Sequence, residues 1–65
     1  MPIYSSIKKM RVDKGITQEQ LGEAVGVSRQ TVVAIEKGNY TPSLRLAMHL
    51  AQFFDVSVEE LFRIK

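Results

Sequence analysis

Only Gly26-Val27-Ser28 separates two short helical patterns, one ending at Val25 and the other running from Arg29 to Lys37, and so brief a link restricts how the two can meet. A hairpin of long antiparallel helices has no room to turn here, whereas a steep crossing does. Such a crossing needs a small side chain where the helices approach. Gly22 supplies one, although glycine costs about 1 kcal/mol relative to alanine in a helix interior. The turn also needs a residue that tolerates positive φ, the place held by Gly26. Leu21, Val25, Val27, Val32 and Ile35 then face one another across the angle.

Caps and breakers divide the rest of the chain. A first helix is expected from Tyr4 or Ser5 to Lys14, with Ile7 and Met10 inward and Gly15 as its stop. Thr17-Gln18-Glu19-Gln20 has the capping-box form, so Thr17 opens the second helix, and Ser28 caps the third, which Gly38 closes. After Gly38-Asn39-Tyr40-Thr41-Pro42, Ser43 opens a fourth helix whose inward stripe reads as Leu44, Ala47, Leu50, Ala51 and Phe54. Asp55 and Val56 break it, and Ser57 with Glu60 starts a last short helix carrying Leu61. The expected fold class is all-α with five helices, and short strands are conceivable only at the two ends.

With 65 residues there is room for one domain, residues 1–65, around one small core. The chain has no cysteine, so apolar packing must hold that core, and a hydrophobic content of 45% makes this feasible. Met1 to Lys9 has no apolar run of signal-peptide type and no stretch is long enough to span a bilayer, so the expected address is cytoplasmic, with no membrane partner. One histidine, no cysteine and scattered carboxylates are a poor kit for a nucleophile or an acid–base pair, and no enzyme is expected. His49 falls opposite the Leu50, Ala51 and Phe54 face and should be solvent-exposed. Glu19 and Glu23 share a helix face but lack a third ligand, so neither metal nor cofactor nor small-molecule ligand is expected.

The formal charge of +2 is compatible with a polyanionic partner without establishing one. Its distribution says more: Lys8, Lys9, Arg11 and Lys14 crowd the first helix and Arg29 and Lys37 bracket the third, while Glu23, Asp55, Glu59 and Glu60 lie elsewhere. At this point the run from Gln18 to Val32 resembles the helix-turn-helix of the Cro/C1-type (XRE) repressor family. The likeness extends through Ile35-Glu36-Lys37-Gly38, Tyr40-Thr41-Pro42-Ser43-Leu44 and Val58-Glu59-Glu60-Leu61-Phe62, as in the short stand-alone, cytolysin-repressor-like members. Gly22 departs from the pattern, which usually has alanine. The resemblance implies a lambda-repressor-like DNA-binding domain and a buried ion pair between Arg11 and Glu36, the alternative being two separate surface charges.

It further implies that the third helix enters a DNA major groove by its N-terminal turns. With Val32 and Ile35 inward, the outward arc holds Arg29, Gln30, Val33, Ala34 and Lys37. The first four are the expected base contacts: Arg29 suits guanine O6 and N7, Gln30 suits adenine, and Val33 and Ala34 suit thymine methyls. Expected phosphate contacts are Gln18, Thr31, Lys37, Asn39 and Tyr40, with Thr41 and Ser43 weaker candidates. One such helix reads few base pairs, so a homodimer on a palindromic operator is expected, acting as a repressor. Phe53, Phe62 and Ile64 read as surplus to so small a core and are the expected dimer interface, which Ile3 and Tyr4 could join, the alternative being that they simply cap the core. The competing reading is a protein-interaction module or antitoxin on the same fold. Against it stands a third helix that is polar where a partner-binding face would present aromatics and leucines.

Overall fold

The structure, a computed structural model, describes residues 3–64. Helices α1 (Ile7–Lys14), α2 (Gln18–Val25), α3 (Arg29–Lys37), α4 (Leu44–Phe54) and α5 (Val58–Leu61) lie between strands β1 (Ile3–Ser5) and β2 (Phe62–Ile64). Local chemistry places the helix starts. Thr17 Oγ1 accepts from the Gln20 amide at 3.0 Å while Gln20 Oε1 accepts from the Thr17 amide at 2.8 Å. Ser57 and Glu60 repeat the exchange at the head of α5. Ser28 and Ser43 each accept from the amide three residues on, at 3.2 and 3.1 Å. These bonds satisfy amide donors that a first helical turn leaves without partners.

The first helix starts at Ile7, later than Tyr4 or Ser5, because the backbone before it is used otherwise. β1 pairs antiparallel with β2, with Ile3 opposite Ile64 and Ser5 opposite Phe62. The Ser6 amide then donates to the Leu61 carbonyl at 2.8 Å, and Ser5 Oγ accepts from the Ile7 amide at 3.1 Å. The short strands thus fall at the two ends, where the sequence leaves room for them.

Every helix sends a fully buried side chain to one core: Ile7, Leu21, Val32, Leu50 and Leu61. Val25, Ile35, Leu46 and Ala51 complete it, with Met10, Phe53, Phe54 and Phe62 half-buried around it. The stripe on α4 differs from expectation at one end, since Leu44 is 74% exposed and Leu46 is buried in its stead. At about 100° per residue, the buried set Leu46, Ala47, Leu50 and Ala51 is centred well to one side of Leu44, which stands on the helix's first turn facing out. No helix among the described residues is long and apolar enough to cross a membrane.

α2 and α3 meet at Gly22. A Cβ there would stand 2.6 Å from the Val27 carbonyl oxygen and 3.3 Å from the Ser28 carbonyl. The Gly22 carbonyl itself accepts from both the Gly26 and Val27 amides, at 2.8 and 2.9 Å, and Gly26 turns the chain at φ 81. Backbone that is bonded this tightly cannot retreat without loosening the turn. Gly22→Ala should therefore lower the thermal midpoint: overpacking costs about 1–3 kcal/mol, more than the helix-propensity gain of about 1 kcal/mol. A raised midpoint would show that the turn yields at little cost.

Candidate nucleic-acid interface

Arg11, on the last turns of α1, reaches across to Glu36 near the end of α3. Its Nε donates to Glu36 Oε2 at 2.7 Å and its Nη2 to Oε1 at 3.3 Å, and Nη1 caps the Ile16 carbonyl at 2.9 Å. The two side chains are 12% and 4% exposed. The pair implied by the family resemblance is thus present, bidentate and mostly withdrawn from water. A third group joins it: Gln18, the first residue of α2, donates from Nε2 to Glu36 Oε1 at 3.1 Å. Burial pushes the Glu36 carboxyl up, but the bonds from Arg11 and Gln18 and the charges of Arg11 and Lys8 outweigh it and hold the group below its usual 4.5.

This cluster brings the N-terminal ends of α2 and α3 to the border of one shallow depression. Lys8, Arg11, Thr17, Gln18, Glu19 and Arg29 line it, so three of its four charged side chains are basic. Arg29 and Gln30 are exposed on the first turn of α3, and their side chains make no hydrogen bond among the described residues. Val33 and Ala34, on the same arc, are half-buried where full exposure was expected, and Thr31 is half-buried with its hydroxyl 3.1 Å from that of Ser28. Lys37, Asn39, Tyr40, Thr41 and Ser43 are all exposed and gather at and beyond the other end of α3. Reasoning from sequence missed the Gln18–Glu36 bond and the place of Lys8. Lys8 was legible, lying one turn before Arg11 on the same helix face.

His49 is exposed, as expected. Among the described residues no three His, Cys, Asp or Glu side chains gather as a metal site would require. Of the expected interface residues, Ile64 is exposed, whereas Phe62 and Phe53 are half-buried against the core. Phe53 is engaged twice more, edge-on to Phe54 with ring centroids 5.0 Å apart and beneath Lys14 Nζ at 5.3 Å.

Two helices crossing over a three-residue turn, the second exposing an arginine and a glutamine on its first turn beside a basic depression, define a helix-turn-helix DNA-binding domain. The profile of the helix-turn-helix family matches residues 7–61, and the chain belongs to that family, in its Cro/C1 (XRE) branch. It is 50% identical over 58 residues to an HTH-type transcriptional regulator of Methanocaldococcus jannaschii, a match covering 89% of this chain and 88% of that one. It is 37% identical over 57 residues to RstR, the cryptic phage CTXphi transcriptional repressor of Vibrio cholerae, covering 88% of this chain and 51% of RstR. Among solved structures it is similar to the restriction-modification controller protein C.AhdI of Aeromonas hydrophila, with a TM-score of 0.75 and 31% identity, covering 83% of this chain and 78% of that one. The family is one of transcriptional regulators, not of enzymes.

The Glu36 cluster makes two outcomes calculable. Removing Arg11 alone strands a buried carboxylate, so Arg11→Met should cost about 3–5 kcal/mol, while Arg11→Met with Glu36→Leu should cost clearly less. Chemical denaturation of the two single variants and the double would measure this, and additive losses would mean the pair is not coupled. Acid acts on the same group. Because folding lowers the Glu36 pKa, its contribution is full above 4.5 and drains away as pH falls through the lower folded value. The thermal midpoint of the wild type should therefore drop more steeply below pH 4.5 than that of the double variant, in which the carboxylate is gone.

Proposed function

We propose that the protein is a sequence-specific repressor that binds double-stranded DNA in the cytoplasm as a homodimer on a palindromic operator, with α3 of each copy in the major groove. The observation that carries this is the first turn of α3, where Arg29 and Gln30 stand free in solvent on a helix whose other face is locked into the core by Val32 and Ile35. A rigid helix with uncommitted donors is what direct readout of base edges requires. In this reading Arg29 addresses a guanine, Gln30 an adenine, and Val33 and Ala34 the methyls of thymines. Gln18, Thr31, Lys37, Asn39 and Tyr40 hold the phosphates on either side.

Gln18 needs only half its amide for that contact. A carboxylate accepts and never donates, so Glu36 fixes the amide with its nitrogen inward, and the second N–H of that nitrogen remains for a phosphate. The likeness to RstR, named a transcriptional repressor, supports the repressor reading.

Selection from a random pool of duplex DNA at near-physiological salt tests the reading as a whole. The expected result is a palindrome with half-sites about 10 base pairs apart; weak, salt-sensitive retention without enrichment would favour a protein-interaction module. On the selected site, Arg29→Ala should relax preference at one base position by about 1–3 kcal/mol, and an unaltered base preference would remove Arg29 from readout. Gln18→Ala should weaken selected and scrambled duplexes alike, and a loss confined to the selected site would move Gln18 from phosphate to base.

A further inference from the structure

α1 carries four cations, Lys8, Lys9, Arg11 and Lys14, and the fold commits three of them. Lys9 Nζ lies 3.5 Å from Asp13 Oδ2, Arg11 is bonded to Glu36, and Lys14 Nζ stands over the Phe53 ring at 5.3 Å. Lys8 is exposed and, among the described residues, makes neither a hydrogen bond nor an ion pair. It nevertheless faces a defined place. Lying one turn before Arg11 on the same helix face, it borders the depression that Gln18 and Arg29 also border. Its charge is felt at Glu36, where burial raises the carboxyl pKa and the Arg11 and Gln18 bonds, the Arg11 charge and lastly the Lys8 charge lower it.

The charges around this depression do not balance. Arg11 is answered by Glu36, which leaves Lys8 and Arg29 against exposed Glu19, and Glu19 forms an ion pair with neither. A concave surface concentrates such a surplus, so it acts most strongly on an anion seated there. Glu36 is not that anion. Its side chain is 4% exposed, and its two oxygens already accept from Arg11 and Gln18. A phosphodiester fits the chemistry on offer: one negative charge, met on one side by the N–H that Gln18 keeps free of Glu36 and on the other by an ammonium, a compact charge with three donors that needs no fixed orientation. We propose that Lys8 holds the DNA backbone beside the phosphate that Gln18 contacts, so that α1, which lies outside the helix-turn-helix, forms part of the binding surface. The contact rests on the reading of Gln18 as a phosphate ligand and adds a third helix to it. It supplies affinity without sequence preference, because every nucleotide presents the same phosphate.

Salt titration of binding to a duplex of arbitrary sequence tests the contact. Each phosphate neutralised on B-DNA contributes about 0.9 to the slope of log affinity against log salt. Lys8→Gln should lose one such step, so its deficit against the wild type should shrink about threefold between roughly 50 and 200 mM salt. Lys8→Arg should keep the wild-type slope. Lys9→Gln removes the same charge from the same helix outside the depression, and should keep it as well. Glu19 provides a further check, since Lys8→Gln should weaken binding as much in a Glu19→Gln background as in the wild type. A loss that disappears there would mean that Lys8 serves only to neutralise Glu19. A loss with an unaltered slope and a lowered thermal midpoint, or one matched by Lys9→Gln, would assign Lys8 to folding or to overall charge. Each of these would overturn the contact, and a wild type that binds no duplex would overturn it together with the proposed function. The two readings otherwise part: a slope change in a protein that selects no palindrome would uphold Lys8 and refute the operator, while a palindrome with no slope change would remove Lys8 alone.

Discussion

The mutual geometry of the first three helices depends on one carboxylate. Glu36 accepts from Arg11 on α1 and from Gln18 on α2 while itself sitting on α3, so three successive helices are indexed to one another at a single point. Packing alone would hold them together, since each contributes a buried apolar residue, but apolar contact is tolerant of small sliding. A bidentate guanidinium–carboxylate pair is not, because both bonds lengthen at once if either helix shifts. Arg11 turns its third nitrogen, Nη1, to the Ile16 carbonyl, which ties down the loop leading into α2 as well. The orientation of the exposed first turn of α3 is therefore set by an ion pair that is mostly withdrawn from water.

The close approach at Gly22 supplies the second constraint. There the two helices of the motif are brought together until no side chain fits between α2 and the turn. One restraint sets how near the helices lie, the other how they are rotated. Together with the Ser28 cap they hold the first turn of α3 in place, although the side chains of Arg29 and Gln30 make no hydrogen bond of their own among the described residues.

Much of this was legible from sequence because the signals are local. Thr17, Ser28, Ser43 and Ser57 announce helix starts through bonds spanning three residues, and such bonds need no knowledge of the rest of the fold. The crossing was legible because so short a linker leaves few alternatives, and the Arg11–Glu36 pair because the family resemblance implied it. What failed was long-range. The backbone of Ile3–Ser5 reads as a helix start until Phe62–Ile64 is known to lie beside it, and Leu44 reads as core until the position of α4 fixes which side is inward. Gln18 was legible as a polar residue at a helix start but not as a partner of Glu36, since nothing in their spacing of 18 residues says that they meet. Phe53, Phe62 and Ile64 were grouped by hydrophobicity, and only the fold shows the first two half-buried against the core and the third exposed.

The ribbon has a consequence for the topology of the chain as a whole. With Ile3 directly opposite Ile64, the two ends of the described fold lie one strand spacing apart, about 5 Å. A linker of a few residues would close the backbone into a ring without disturbing any helix, and the ring could be reopened in the exposed Asn39–Thr41 loop. Seen this way the order of the helices along the chain is incidental to how they pack, and that packing would survive a rearrangement that made α4 the first element and α3 the last.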